Sequence, residues 1–308
     1  VLFDHDGGVD DLLSLMMLLA MPHIDMAGIV VTPADCFLGP ATSASLKILR
    51  FFGRSDIELS QGTLHGVNPF PRVWRVQPYH IDALPILNEP EESLSVPSPE
   101  PGHEFLVRKL RHSQRPLTVL MTGPVTNLAA ALTQEPDLTA KIEEIVWMGG
   151  ALRVAGNVRD YEHDGSAEWN AYWDPPATHA LWQINTEVPI RLFPLDVTNQ
   201  VPVDRHFLQR LARQRRYPLS DLAGQCWAMT VGAMPAYEYV YHMWDTLTTG
   251  YLGASQFITF RQARTEVTPG GPSAGRIKEV AEGGRFIQAA ERVEVDEFLD
   301  YVLALFRR

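Results

Sequence analysis

The chain has 308 residues, of which 45% are hydrophobic and 20% charged, a globular composition that excludes a wholly disordered chain. A formal net charge of -11 argues against nucleic acid or an anionic lipid surface as the main partner, and no run of about 18 apolar residues is available to span a membrane. Two cysteines, Cys36 and Cys226, form neither a disulfide framework nor a zinc cluster; they point to a reduced, cytoplasmic chain, as does an apolar start without signal-peptide layout.

Val1 to Asp4 is a short apolar run ending in a carboxylate, the pattern of a buried parallel strand. Asp10 to Met21 has helical periodicity through Leu12, Leu15, Met16 and Leu19, and Pro22 stops it. Met26 to Val31 predicts a second strand, Ala41 to Phe52 a helix closed by Gly53, and Ile57 to Ser60 a third strand. Residues 62–102 break this rhythm. They form a proline-rich stretch with Phe70, Trp74 and Tyr79, and are expected as one long loop. Helix and strand then alternate again: helix 103–112, strand Leu117 to Met121, helix Val125 to Thr133, strand Ile145 to Met148, helix 176–183, strand Val188 to Phe193. Residues 203–252 read as mainly helical and carry Trp227, Tyr237, Tyr239, Tyr241 and Trp244. Short strands near 257–260, 276–280 and 286–290 precede an amphipathic helix, Val295 to Phe306. This order predicts an α/β fold with an open, mostly parallel sheet flanked by helices, in a single domain over 1–308.

The segment Asp4-His-Asp-Gly-Gly-Val-Asp-Asp11 holds the most chemistry. It puts four carboxylates and two glycines at the C-terminal end of the first predicted strand, the edge where open α/β sheets bind ligands. Acids so crowded repel one another unless a proton or cation sits among them. An oxygen-only set suits Ca²⁺ or Mg²⁺ rather than zinc. A helix start explains Asp10 and Asp11 through the dipole, but leaves Asp4 and Asp6 unaccounted for.

Two enzyme classes share such an opening. The D-x-D-G turn resembles the Mg²⁺-dependent haloacid-dehalogenase-like phosphatases; the full D-x-D-x-G-x-D-D resembles the nucleoside hydrolases. Downstream segments favour the second. Thr122-Gly-Pro-Val-Thr-Asn-Leu-Ala129 resembles the T-G-P-L-T-N-[IL]-A segment of the inosine–uridine nucleoside hydrolase family, and Trp147-Met-Gly-Gly150 its M-G-G turn. Gly156-Asn157, Ala167-Glu-Trp-Asn170 and Asp174-Pro175 resemble its G-N, E-F-N and D-P elements. Leu195-Asp-Val-Thr198 and Trp244-Asp-Thr-Leu247 resemble its L-D-V-T and H-D-P-L elements. The phosphatase reading lacks a downstream motif with Lys and paired acids.

The resemblance implies hydrolysis of the N-glycosidic bond of a ribonucleoside or related N-riboside. It implies one Ca²⁺ held by Asp6, Asp11, the Thr122 carbonyl and Asp245, with Asp6 as the base that takes a proton from water. Asp10, Asn157, Glu168 and Asn170 match positions that grip ribose, and the family suggests a homodimer or homotetramer. Two positions depart from the pattern. Asp35 stands where members often have Asn, which adds a charge near the ribose. Trp244 stands where many carry His; indole can stack on a base but has no ionisable proton to give. The leaving-group acid then falls to another residue, His80 of the proline-rich stretch being the first candidate and His242 a second. A homologue that binds nucleosides without turnover is the remaining alternative, against which the intact acid set argues.

Overall fold

Leu2 to His5 form a run buried on both faces, with Asp4 and His5 buried as fully as Leu2 and Phe3. In a computed structural model, which describes residues 1–89, 93–184, 187–232 and 240–308, this run is β1 of a ten-stranded sheet. The others are β2 (Gly28–Val31), β3 (Leu59–Gln61), β4 (Ser98–Pro101), β5 (Leu117–Met121), β6 (Ile142–Met148), β7 (Ile190–Phe193), β8 (Ile258–Val267), β9 (Ile277–Glu279) and β10 (Arg285–Val293). Their order across the sheet is β4-β3-β2-β1-β5-β6-β7-β10-β8-β9. Strands β1 to β7 pair in parallel, as does β10 with β7, while β8 runs antiparallel to β9 and β10.

The strand pleat divides the core. Phe3, Ile29 and Val31 point to the face covered by the helix Val9–Ala20 and the C-terminal helix Val295–Leu305. Leu2, Val30 and Val119 point to the other, packed against the helices Gly102–His112 and Thr126–Gln134. From β1 the chain winds outward through β2, β3 and β4, then returns to β5 on the other side of β1. Winding reverses there, so a crevice opens at the C-terminal ends of β1, β2 and β5.

The expected α/β architecture is present, with two differences in detail. The stretch 62–102 is not one loop: it contains the helices Gln77–Asp82 and Pro85–Asn88 and the edge strand β4. Prolines at helix starts and on an edge strand need no backbone N–H, so these elements tolerate them. The late strands β8 and β10 extend well beyond the short runs expected, because they pair with each other along most of their length. The helical region near 203–252 contains Arg205–Ala212, Pro218–Gly232 and Trp244–Ala254, while Tyr237 and Tyr239 lie outside the described residues. No helix among the described residues is long and apolar enough to cross a membrane.

Candidate active site

The turn after β1 is made by Gly7, whose φ of +80° is a left-handed conformation, and a Cβ there would lie 2.6 Å from that of Ala41. The chain then enters the helix Val9–Ala20 with Asp10 and Asp11 in its first turn, where the dipole favours acids. Asp11 accepts from the Gly8 N–H at 2.7 Å and from the Thr122 hydroxyl at 2.5 Å. Asp10 accepts from the Tyr241 hydroxyl at 2.5 Å and from the Asp245 N–H at 3.4 Å. Asp245 itself opens the helix Trp244–Ala254, which packs along Val9–Ala20. Carboxylate oxygens of Asp10, Asp11 and Asp245 thus converge within 4.8 Å of one another, all three residues buried. Asp6 lies beside them and accepts the Asp35 N–H at 3.2 Å. Position 123 must be glycine for this approach, since a Cβ there would sit 2.8 Å from that of Asp6.

Burial, and then mutual repulsion, sets the proton affinity of this floor. Desolvation followed by the Asp11 charge lifts Asp10 to about 6, against the pull of the Tyr241 hydroxyl. The same two causes push Asp6 and Asp35 well above the usual carboxylate range, and burial followed by the Asp10 charge does so for Asp245. Three crowded buried carboxylates with neither His nor Cys among them are a donor set for a hard divalent cation, which would relieve the repulsion.

Above the floor is a cavity of about 340 Å³. Part of its lining is polar. Glu168 caps the helix Trp169–Trp173, accepting from the Asn170 N–H at 2.9 Å and the Ala171 N–H at 3.3 Å. A third bond, from the Gly150 N–H at 2.9 Å, ties Glu168 to the turn after β6. Burial lifts its carboxyl to about 7. Asn170 donates to the carbonyls of Thr122 at 2.8 Å and Met148 at 3.1 Å, and Asn157 accepts from the Trp169 N–H at 3.1 Å. The lining is also aromatic: Phe70 and Trp74 of the proline-rich stretch pack on Trp169, with ring centroids 5.1 and 5.6 Å away. Trp244 closes the rim, its indole N–H donating to the Asn199 side chain at 2.9 Å and its ring edge-on to Tyr241 at 4.8 Å.

The family model for inosine-uridine preferring nucleoside hydrolases matches residues 1–300. The chain belongs to that family. It is 41% identical to a solved inosine-uridine preferring nucleoside hydrolase from Bacillus anthracis, superimposing with a TM-score of 0.94 over 99% of this chain and 98% of that one. It is 31% identical to a pyrimidine-specific ribonucleoside hydrolase of Shewanella sp., over 68% of this chain and 63% of that relative, so the match spans a little under two thirds of the Shewanella protein. A plant nucleoside hydrolase has the same fold at 22% identity, with a TM-score of 0.83 and 99% and 98% of the two chains covered. Family membership sets aside the phosphatase reading of the opening D-x-D-G turn.

In this nucleoside hydrolase family member, Asp6, Asp10, Asp11, Asp35, Thr122, Asn157, Glu168, Asn170, Trp244 and Asp245 all line one cavity. His80 does not. It is exposed on the helix Gln77–Asp82 and lies off the cavity wall, and His242 sits behind Trp244 with ring centroids 5.6 Å apart. Among the described residues, no histidine, lysine or arginine lines the cavity. Among the lining residues without an assigned role in the sequence, two have side chains hydrogen-bonded to the floor segment: Tyr241, bonded to Asp10, and Gln77, whose Oε1 accepts the Val9 N–H at 3.1 Å. Neither belongs to a local motif; their partners are 231 and 68 positions away.

Proposed function

We propose that this chain hydrolyses the N-glycosidic bond of a ribonucleoside or related N-riboside in a Ca²⁺-dependent reaction, releasing base and ribose. The observation that carries the proposal is the buried convergence of Asp10, Asp11 and Asp245 at a cavity lined by both polar and aromatic side chains. A sugar with several hydroxyls suits the polar side chains, and a flat heterocycle suits the aromatic ones.

In this reading Asp6, Asp11, Asp245 and the Thr122 carbonyl hold the cation, with Asp10 completing the acidic floor. Bound Ca²⁺ supplies positive charge that keeps these acids ionised and polarises water at the floor. Asp6 takes the proton as water attacks C1′, a carboxylate beside the floor acting as general base. Asp10, Asp35, Asn157, Glu168 and Asn170 bind the ribose hydroxyls, and the surrounding negative charge favours an oxocarbenium-like ribosyl. Glu168 already accepts three N–H bonds; a carboxylate has about four lone-pair sites, which leaves one for a hydroxyl. Trp244 forms part of the wall against the base. For His80 to protonate the base, the helix Gln77–Asp82 has to close over the cavity.

Two free, buried cysteines support a reducing, cytoplasmic setting, and the family likeness supports a homodimer or homotetramer, which light scattering would measure. The deciding experiment is a nucleoside screen for reducing-sugar release. Release that is lost in chelator and restored by Ca²⁺ is expected. Binding without release, or release of phosphate from phosphoesters instead, overturns the proposal.

A further inference from the structure

We propose that Gln77 assists departure of the base by donating a hydrogen bond to the acceptor atom beside the glycosidic nitrogen, an inference that rests on the nucleoside hydrolase reading above. The Gln77 amide has a defined orientation. Val9 N–H is a donor, so the oxygen end faces it at 3.1 Å, and the NH₂ end is left over. No described protein acceptor bonds that NH₂, and the side chain lines the cavity. Its location is also defined. Val9 directly precedes Asp10 of the floor, while the Gln77 backbone N–H donates at 3.1 Å to the carbonyl of Trp74, which belongs to the aromatic wall. Gln77 therefore stands where floor meets wall. With ribose on the floor and base against the wall, that junction is where the glycosidic bond lies.

When the C1′–N bond breaks, its electron pair passes to the base, while water oxygen bonds to C1′ and its proton goes to Asp6. Negative charge then spreads from the glycosidic nitrogen to its neighbours, N3 of a purine or O2 of a pyrimidine, both acceptors. With no cationic or imidazole group on the described wall, a neutral amide donor is the group in place to meet that charge. Its bond strengthens as charge develops, which is the condition for lowering the barrier rather than only binding substrate. Gln77 transfers no proton; the departed base takes one from water.

The test uses Q77E and Q77M with inosine, uridine, the adenosine/3-deazaadenosine pair and p-nitrophenyl riboside. Glu keeps an oxygen for the Val9 N–H and removes the donor, whereas Met removes both. Both variants should lose kcat on inosine, uridine and adenosine by about 10²-fold, the order seen when one charge-stabilising donor is removed. On p-nitrophenyl riboside, whose leaving group needs no help, they should stay close to wild type. On 3-deazaadenosine, which lacks the acceptor, wild type should already be slow and the variants no slower. Near-normal turnover of nucleosides by Q77E overturns the inference, leaving Gln77 as a cap on Val9. An equal loss on every substrate overturns it too, because Gln77 would then act through the floor. Absence of ribose release by wild type overturns the nucleoside hydrolase reading and this inference with it.

Discussion

Asp10 and Asp11 are neighbours in sequence but are held by different groups, and this separates their predicted behaviour. Asp10 depends on the Tyr241 hydroxyl, which works against burial and holds its carboxyl down at about 6. Tyr241→Phe removes that donor, so Asp10 should protonate at higher pH. The variant should bind Ca²⁺ several-fold more weakly near pH 6, where the proton competes, and almost normally near pH 8, where it does not. Calorimetric titration at the two pH values checks this; an equal loss at both would show that Tyr241 acts by packing. Asp6→Asn tests the base. Turnover should fall by at least about 10²-fold for want of a proton acceptor. Because Asp6 is also a proposed ligand, Ca²⁺ content has to be measured with the rate, and near-normal activity would eliminate Asp6 as base.

At the scale of elements, the turn Gly149–Arg153 after β6 connects the polar wall to the rest of the fold. Gly150, with φ +77°, aims its N–H at Glu168 and its carbonyl at the Leu195 N–H, 2.9 Å away. Asp196 holds the other end, accepting the Leu152 and Arg153 N–H groups at 2.8 Å each. Asp196→Ala releases both. Glu168 loses a fixed partner, so kcat/KM should fall about tenfold while Tm drops by a few degrees, the change expected for losing one or two charge-assisted bonds. An unchanged kcat/KM would mean that the turn holds itself. Elements such as β1, β5 and the helix Val9–Ala20 were legible in the sequence because burial on a full face imposes a run or a period. The helices Gln77–Asp82 and Pro85–Asn88 were not, since neither spans two turns and no periodicity can develop. The acids were legible as a local cluster. Gln77 and Tyr241 were not, because each acquires its meaning from a partner that only the tertiary fold supplies.

For the molecule as a whole, the buried acids tie stability to pH and to the cation. Burial drives Asp4 and Glu168 up to about 7 in the metal-free fold, whereas the unfolded chain gives up those protons near 3.8 and 4.5. Between these limits the native state binds more protons than the unfolded one, so stability falls as pH rises through that window. In chelator, Tm should decline between about pH 5 and pH 7. The rise in Tm on adding Ca²⁺ should grow over the same interval, because the ligands must be ionised to bind. A Tm that climbs with pH in chelator would show that these carboxyls are ionised in the fold. We further propose that the chain unfolds as one unit, since a single sheet runs through it and helices on both faces share that sheet. A single calorimetric transition is the expected result.

The order of events in folding is a consequence of where Asp245 lies. It meets Asp10 across 235 residues of chain, so the floor closes only after strands β1 to β7 have been laid down. Long-range contacts of this kind form late and slowly. Asp10 and Asp11 then wait for the partner that completes the floor, and a cation bound there would latch a late step of assembly. Refolding in Ca²⁺ should therefore leave the early gain of helical signal unchanged and accelerate only a late phase.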